Sequence, residues 1–143
     1  YSLREATAAD FDFLRTLHRL ALKPYVEQIW GWNEELQDKL LRERFSPKKF
    51  QIIQRSENDV GILQVEIRQE EIFLGNILLL PELHGKGLGS EVIKDVIEDA
   101  TGMGLPVLLT VLKPNPAKRL YERLGFKVTA DDDVRFFMKR EIC

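Results

Sequence analysis

The feature that most restricts what this chain can fold into is an apolar run, Ile77-Leu78-Leu79-Leu80, that enters a glycine-spaced loop and leaves it as an amphipathic helix. The loop reads Pro81-Glu82-Leu83-His84-Gly85-Lys86-Gly87-Leu88-Gly89-Ser90. In the helix that follows, Leu88, Val92, Ile93, Val96, Ile97 and Ala100 share one face, and Glu91, Lys94, Asp95, Glu98 and Asp99 the other. A second apolar run, Pro106 to Val111, comes next. Strand, helix and strand in so short a span predict a βαβ unit, with the two strands parallel and the helix crossing between them. The loop then stands at the carboxyl edge of those strands, where open α/β sheets place their ligands.

Alternate glycines leave backbone N–H groups uncovered, and a helix start adds free donors and the positive end of its dipole. The loop is thus a candidate cradle for a phosphorylated ligand, with a tight turn that binds nothing as the plain alternative. Spacing separates it from two common nucleotide loops. Gly85, Gly87 and Gly89 are spaced G-x-G-x-G, not the G-x-G-x-x-G of dinucleotide folds. Lys86 follows Gly85 as in a P-loop, but Gly87 takes the place of the Ser or Thr that would hold magnesium.

The remaining elements can be placed around this unit. Ser2 to Glu5 reads as a short strand. Thr7 and Asp10 form a capping-box pair ahead of a helix whose face is Phe11, Leu14, His18 and Ala21, expected to end near Pro24. Asn33 caps a second helix, with Leu36, Leu40 and Leu41 leading to Phe45 before Ser46-Pro47. Phe50 to Gln54 and the alternating Leu63, Val65 and Ile67 make an antiparallel hairpin about a turn at Ser56-Glu57-Asn58-Asp59, and a longer strand covers Ile72 to Leu80. Asn115 at the cap, Pro116 at the first position, the stripe Ala117, Leu120, Tyr121 and Leu124, and Gly125 at the end delimit a last short helix. Phe126 to Thr129 and Val134 to Lys139 close the chain as a hairpin. The order is βαα, ββ, βαβ, αββ.

Composition excludes several functions. A chain of 143 residues with 44% hydrophobic content suits one domain over residues 1–143 with a sizeable core. A net charge of -2 and a pI near 5.8 give no electrostatic footprint for nucleic acid or an anionic membrane. No apolar run approaches the roughly 20 residues that span a bilayer, so a soluble, cytoplasmic protein is expected. The only cysteine is Cys143, and His18 and His84 are far apart in sequence, so neither a disulfide nor a metal site is expected.

Two segments carry a resemblance. Leu80 to Gly89, with its His84-Gly85-Lys86-Gly87-Leu88-Gly89 core, resembles the acetyl-CoA loop of the GNAT superfamily, the GCN5-related N-acetyltransferases, whose pattern is [RQ]-x-x-G-x-[GA]. Asn115-Pro116-Ala117-Lys118-Arg119-Leu120-Tyr121-Glu122-Arg123-Leu124-Gly125-Phe126 resembles the second signature of that family. The element order agrees from Ser2 to Lys139, and only Tyr25 to Phe45 lacks a general family pattern. His84 stands where the family has Arg or Gln, and Pro114 takes the slot usual for Asn, which puts Asn115 one residue closer to Tyr121.

The resemblance implies an α/β fold with a mixed, mostly antiparallel sheet of six to seven strands flanked by helices, the βαβ crossover carrying the acetyl-CoA loop. It implies acetyl-CoA as co-substrate, without a metal, and direct transfer of acetyl to a primary amine: a small amine, an amino acid or a protein amine. Gly85, Lys86, Gly87, Leu88, Gly89 and Ser90 would hold the pyrophosphate. The backbone near Ile77, Leu78 and Leu79 would bind the pantetheine arm, with Asn115 and Tyr121 nearby and Tyr121 as general acid. A non-catalytic acyl-CoA-binding or regulatory module on the same scaffold is the alternative, and loss of the tyrosine would have favoured it.

For the acceptor, Tyr25, Glu27 and Trp30 in the Tyr25 to Asn33 segment are candidates through cation–π and charge contacts, against plain packing of the aromatic rings. Glu27, Glu66, Glu71 and His18 are the available bases, each with a surface or core role as its plain reading. Lys113, Lys118, Arg119 and Arg123 could meet the 3′-phosphate of CoA or simply be solvated. A monomer and a homodimer both fit the sequence.

Overall fold

The structure is a computed structural model that describes residues 1–46 and 49–142. Pro47, expected just after the second helix, and Cys143 lie outside the described residues. The elements are β1 (Ser2–Glu5), α1 (Phe11–Trp30), α2 (Glu34–Arg44), β2 (Gln51–Arg55), β3 (Asn58–Ile67), β4 (Ile72–Leu79), α3 (Leu88–Met103), β5 (Val107–Leu112), α4 (Ala117–Arg123), β6 (Lys127–Asp131) and β7 (Arg135–Arg140). This is the expected order. Seven strands are hydrogen-bonded in the order β1-β2-β3-β4-β5-β7-β6, mostly antiparallel, with β4 and β5 parallel at Ile72↔Val107 and Phe73↔Leu108.

Two compact units divide the chain. Tyr1–Gln64 and Asn76–His84 form the first; Val65–Gly75 and Gly85–Cys143 form the second. In the first unit, Leu14, Leu17 and Ala21 of α1 bury themselves with Phe50, Ile52, Ile62 and Leu78, and Leu41 and Phe45 pack at the margin. In the second, all the residues expected on the inner face of α3 are buried, together with Val107, Leu109 and Val111 of β5, Phe126 and Met138.

The sequence reading ended α1 near Pro24, but the helix runs on to Trp30. Pro24 has no N–H for the carbonyl four residues earlier, a cost that usually stops a helix. Here the apolar stripe continues past it. Val26 is buried and Tyr25 and Ile29 are half-buried, which favours continued packing. Gln28 donates its side-chain amide to the Pro24 carbonyl at 3.0 Å, and the helix stops only at Gly31, whose φ of 75° no longer fits.

The β2–β3 turn is also tighter than expected. Arg55 pairs with Asn58, so the loop is Ser56-Glu57 alone, both with positive φ, of 52° and 67°. That is the type I′ geometry, which Asn-Gly usually announces and Ser-Glu conceals. Asn58 and Asp59 therefore belong to β3. The apolar alternation expected through Ile67 also fails at its far end: burial is concentrated in Val60 to Leu63, and Ile67 is 62% exposed.

Close approach of β3 and β4 depends on Gly61. A Cβ there would collide with the Leu78 carbonyl oxygen and lie 2.7 Å from the Leu79 side chain. The Leu80 N–H donates to the Val60 carbonyl at 2.9 Å, which ends the register of β4 beside β3.

The start of the chain is tied down by charge. Arg4 of β1 donates to both carboxylate oxygens of Asp10, at 2.9 and 2.8 Å, and to Asp59 of β3 at 3.0 Å, while the Thr7 N–H donates to Asp10 at 2.7 Å. Asp10 is the buried charged residue among those described, and the guanidinium of Arg4 holds its carboxyl below the usual carboxylate range. A depressed folded-state pKa adds stability that is present above the unfolded value, about 3.9, and is lost as pH falls through the folded one. Asp10→Asn should unfold at lower temperature than the parent at neutral pH, by about 2 kcal/mol for charged hydrogen bonds of this kind. The gap should begin to shrink below about pH 4, where the unfolded chain of the parent takes up the proton on Asp10, and should close as pH falls through the lower folded value. Thermal melts of both proteins from pH 3 to 7 check this.

Candidate active site

Between β4 and α3 the chain makes one 3₁₀ turn, Pro81–Leu83, in which Leu83 and His84 donate to Leu80 and Pro81 at 2.9 and 3.0 Å. Gly85 and Gly87 then take positive φ, 75° and 87°. A Cβ on either would meet no atom within 4 Å, so glycine is required by backbone conformation rather than by space. Helix α3 begins at Leu88, and its first internal bond runs from the Glu91 N–H to the Gly87 carbonyl at 3.0 Å. Among the described residues, every N–H from Gly85 through Ser90 is left without an acceptor. These donors head a 16-residue helix on an exposed loop that also carries Lys86. An anion is the natural occupant, because both the N–H groups and the helix dipole favour negative charge there. The Leu88 side chain is buried, so this residue offers its N–H alone.

The end of β4 is sorted by strand alternation. The carbonyl of Leu78 faces Gly61 on β3, and the Leu80 N–H bonds Val60 on β3. In a strand, one residue's N–H and C=O point to the same side and its neighbours' to the other. Ile77 and Leu79 therefore present their backbone groups on the edge of β4 away from β3. Leu78, counted with them in the sequence reading, turns its backbone to β3 and buries its side chain with the α1 face.

Tyr121 is held by the way α4 ends. Gly125 adopts φ 96°; the Phe126 N–H donates to the Tyr121 carbonyl at 3.0 Å and the Gly125 N–H to the Glu122 carbonyl at 3.1 Å. That bond pair is a Schellman motif, and its usual apolar contact is here the Tyr121–Phe126 ring pair, 5.9 Å between centroids and edge-on at 64°. Arg140 of β7 completes the lock by donating to the Leu124 carbonyl at 2.9 Å. The ring is thereby fixed while its phenol has no hydrogen-bond partner among the described residues. Burial pushes the Tyr121 phenol up to about 12, so it keeps its proton throughout the neutral range.

Asn115 caps α4. Its side-chain oxygen accepts from the Ala117 N–H at 2.9 Å, and Pro116 supplies the fixed φ of a helix start. The amide nitrogen of Asn115 stays available. Lys113 and Lys118 converge on the Phe136 ring, at 5.2 and 4.7 Å, and each has a carboxylate, Asp131 at 2.7 Å and Glu122 at 3.5 Å. Those pairings match a packed, solvated role for two of the four cations in that cluster. Arg119 and Arg123 are exposed.

The acceptor candidates lie on the second half of α1, not on a loop. Tyr25 is half-buried, and Glu27 and Trp30 are exposed, Trp30 by 57%. Trp32 packs on His18 at 6.0 Å, with Lys23 over its ring, and its indole N–H is buried without a partner among the described residues. Burial, with Arg44 nearby, holds the His18 ring below the ordinary histidine range. Glu66 and Glu71 both face Arg68, at 3.2 and 3.8 Å. Among the described residues no trio of His, Cys, Asp or Glu is grouped to hold a metal, and no helix is long and apolar enough to cross a membrane.

Residues 14–126 match the sequence model of the Acetyltransferase (GNAT) family, and this chain belongs to that family. The fold agrees. PaiA N-acetyltransferase from Thermoplasma acidophilum, solved in complex with coenzyme A, is 21% identical, with a TM-score of 0.79 over 98% of each chain. An acetyltransferase from Thermus thermophilus is 18% identical, with a TM-score of 0.75 over 97% of this chain and 95% of its own. The ribosomal-protein-S18-alanine N-acetyltransferase from Escherichia coli is 19% identical, with a TM-score of 0.67 over 99% and 93%. Transfer of acetyl from an acyl-CoA is the chemistry to which the family points.

Sequence reading missed Phe126 and Arg140 as the support of Tyr121. Gly125 at the helix end was the available signal for the first; nothing local marks the second. Gly125→Ala should lower the melting temperature, because the added Cβ meets Arg140 Nε at 3.1 Å and φ 96° strains any side chain. A cost of about 1–3 kcal/mol is expected, read by denaturant unfolding.

Proposed function

We propose that this protein is an acetyl-CoA-dependent N-acetyltransferase that moves acetyl directly to a primary amine, on a small molecule, an amino acid or a protein. The observation that carries the reading is the unbroken series of unbonded N–H groups from Gly85 to Ser90, on a loop with positive-φ glycines and a long helix behind it.

Acetyl-CoA brings a pyrophosphate for those donors and a thioester carbonyl that a neutral amine can attack, with no covalent link to the protein. Gly85, Lys86, Gly87, Leu88, Gly89 and Ser90 take the pyrophosphate. The pantetheine arm lies along Ile77 and Leu79, where the Ile77 backbone groups and the Leu79 N–H point away from β3 and can bond an added strand, the Leu79 carbonyl being taken by the His84 ring at 2.9 Å. A free N–H on that edge can also steady the charge that grows on the carbonyl oxygen. Leu78 contributes by fixing β4 against Gly61.

Tyr121 acts as proton donor to the departing sulfur. A phenol pushed up to about 12 is fully protonated at neutral pH and stands ready to donate. A thiol of ordinary pKa, about 8.5, departs as an anion, and a proton supplied by the fixed phenol would neutralise it. Asn115, half-spent as a helix cap, offers its amide nitrogen to the donor molecule. On the acceptor side, Glu27 and the exposed face of Trp30 suit a cationic amine, with Tyr25 beside them in sequence.

Acetyl-CoA at 100 times its dissociation constant should stabilise the protein by about 2.7 kcal/mol, whereas NAD and ATP at equal concentration should not. Tyr121→Phe should keep that stabilisation and lose roughly a hundredfold in kcat for CoA release with an amine acceptor. Full activity in the variant would make the tyrosine structural. Saturable binding without turnover on any amine would make the protein an acyl-CoA-binding module.

A further inference from the structure

We propose that His84 is a positioning residue for the phosphate loop, acting through the Leu79 carbonyl rather than on the phosphate itself. The ring Nε2 of His84 lies 2.9 Å from the backbone oxygen of Leu79. A carbonyl can only accept, so Nε2 carries the hydrogen and Nδ1 is left as the other ring nitrogen. The Leu80 N–H of that same peptide points to Val60 on β3. Because the two ends of a trans peptide point in opposite directions, the Leu79 carbonyl faces away from β3 and His84 covers it there.

The consequence is local and mechanical. Residues Leu80 to His84 form a closed turn: Leu83 bonds Leu80, His84 bonds Pro81, and the His84 ring returns to the last residue of β4. Gly85, where the free N–H series begins, follows immediately. The side chain thus fixes the point from which the two positive-φ glycines start. It also occupies an acceptor on the outer edge of β4, leaving the Leu79 N–H and the groups of Ile77 for a bound strand. Any side chain that donates a hydrogen bond over the same reach can do this, with no need of positive charge.

The role rests on the reading of Gly85 to Ser90 as the donor cradle, but the latch can be judged without ligand. A long-range ¹⁵N–¹H spectrum of the neutral His84 ring in the ligand-free protein should show Nε2 protonated; an Nδ1–H tautomer would overturn the latch. With acetyl-CoA, His84→Ala should bind about tenfold more weakly, the worth of one hydrogen bond of roughly 1.4 kcal/mol. His84→Gln, an uncharged donor, should recover most of the lost affinity. Parent-like binding by His84→Ala, or no recovery with His84→Gln, would overturn the positioning role. Failure of the parent to bind acetyl-CoA would instead overturn the cradle reading, with the ring spectrum unchanged.

Discussion

The structure turns on hydrogen bonds that are withheld. From Gly85 to Ser90 the backbone N–H groups have no acceptor among the described residues, and the Glu91 N–H is the first in α3 to find one. A helix start always leaves such donors, but water or a side-chain cap usually takes them. Here the cap position is Gly87, which has no side chain to offer, and the preceding glycine turn extends the series upstream. The unmet donors are held in place by strong packing elsewhere: Leu88, Val92, Ile93, Val96, Ile97 and Ala100 anchor α3 along its whole length. Burial of that stripe offsets a helix end that is poorly satisfied on its own.

A similar economy governs Tyr121. The residue lies on a helix of only seven residues, too short to be stable by itself. What orders it is the sequence of bonds around Gly125, the Phe126 ring and the Arg140 guanidinium. The backbone of Tyr121 is consumed by that lock while its phenol is not. The ring is fixed, its hydroxyl is unbonded among the described residues, and burial keeps the proton on it.

Much of this was legible in the sequence where the signal is local. The period of α3, the Asn33 cap, the Asn115 and Gly125 boundaries and the strand–loop–helix order all depend on neighbours a few residues apart. Reading failed where distant packing overrides a local rule. Pro24 marks a helix end by its chemistry, yet Val26 and Ile29 continue the stripe beyond it. Ser56-Glu57 does not look like a left-handed turn, yet the pairing of Arg55 with Asn58 imposes one. At the candidate site, the glycines and Tyr121 were visible as motifs. Which of Ile77, Leu78 and Leu79 turns its backbone outward was not, because Gly61 and Val60 of β3 decide it. The identity of the acceptor is equally non-local: Tyr25, Glu27 and Trp30 are placed on α1, but nothing in their spacing defines what they touch.

The central claim is that the unbonded N–H groups of the glycine loop receive the donor's pyrophosphate. Amide resonances followed during titration of ¹⁵N-labelled protein with acetyl-CoA test it directly. The account predicts that the Gly85 to Ser90 amides move downfield together and saturate with one dissociation constant, as new charge-assisted acceptors arrive. Saturating binding that leaves those amides unmoved would contradict it.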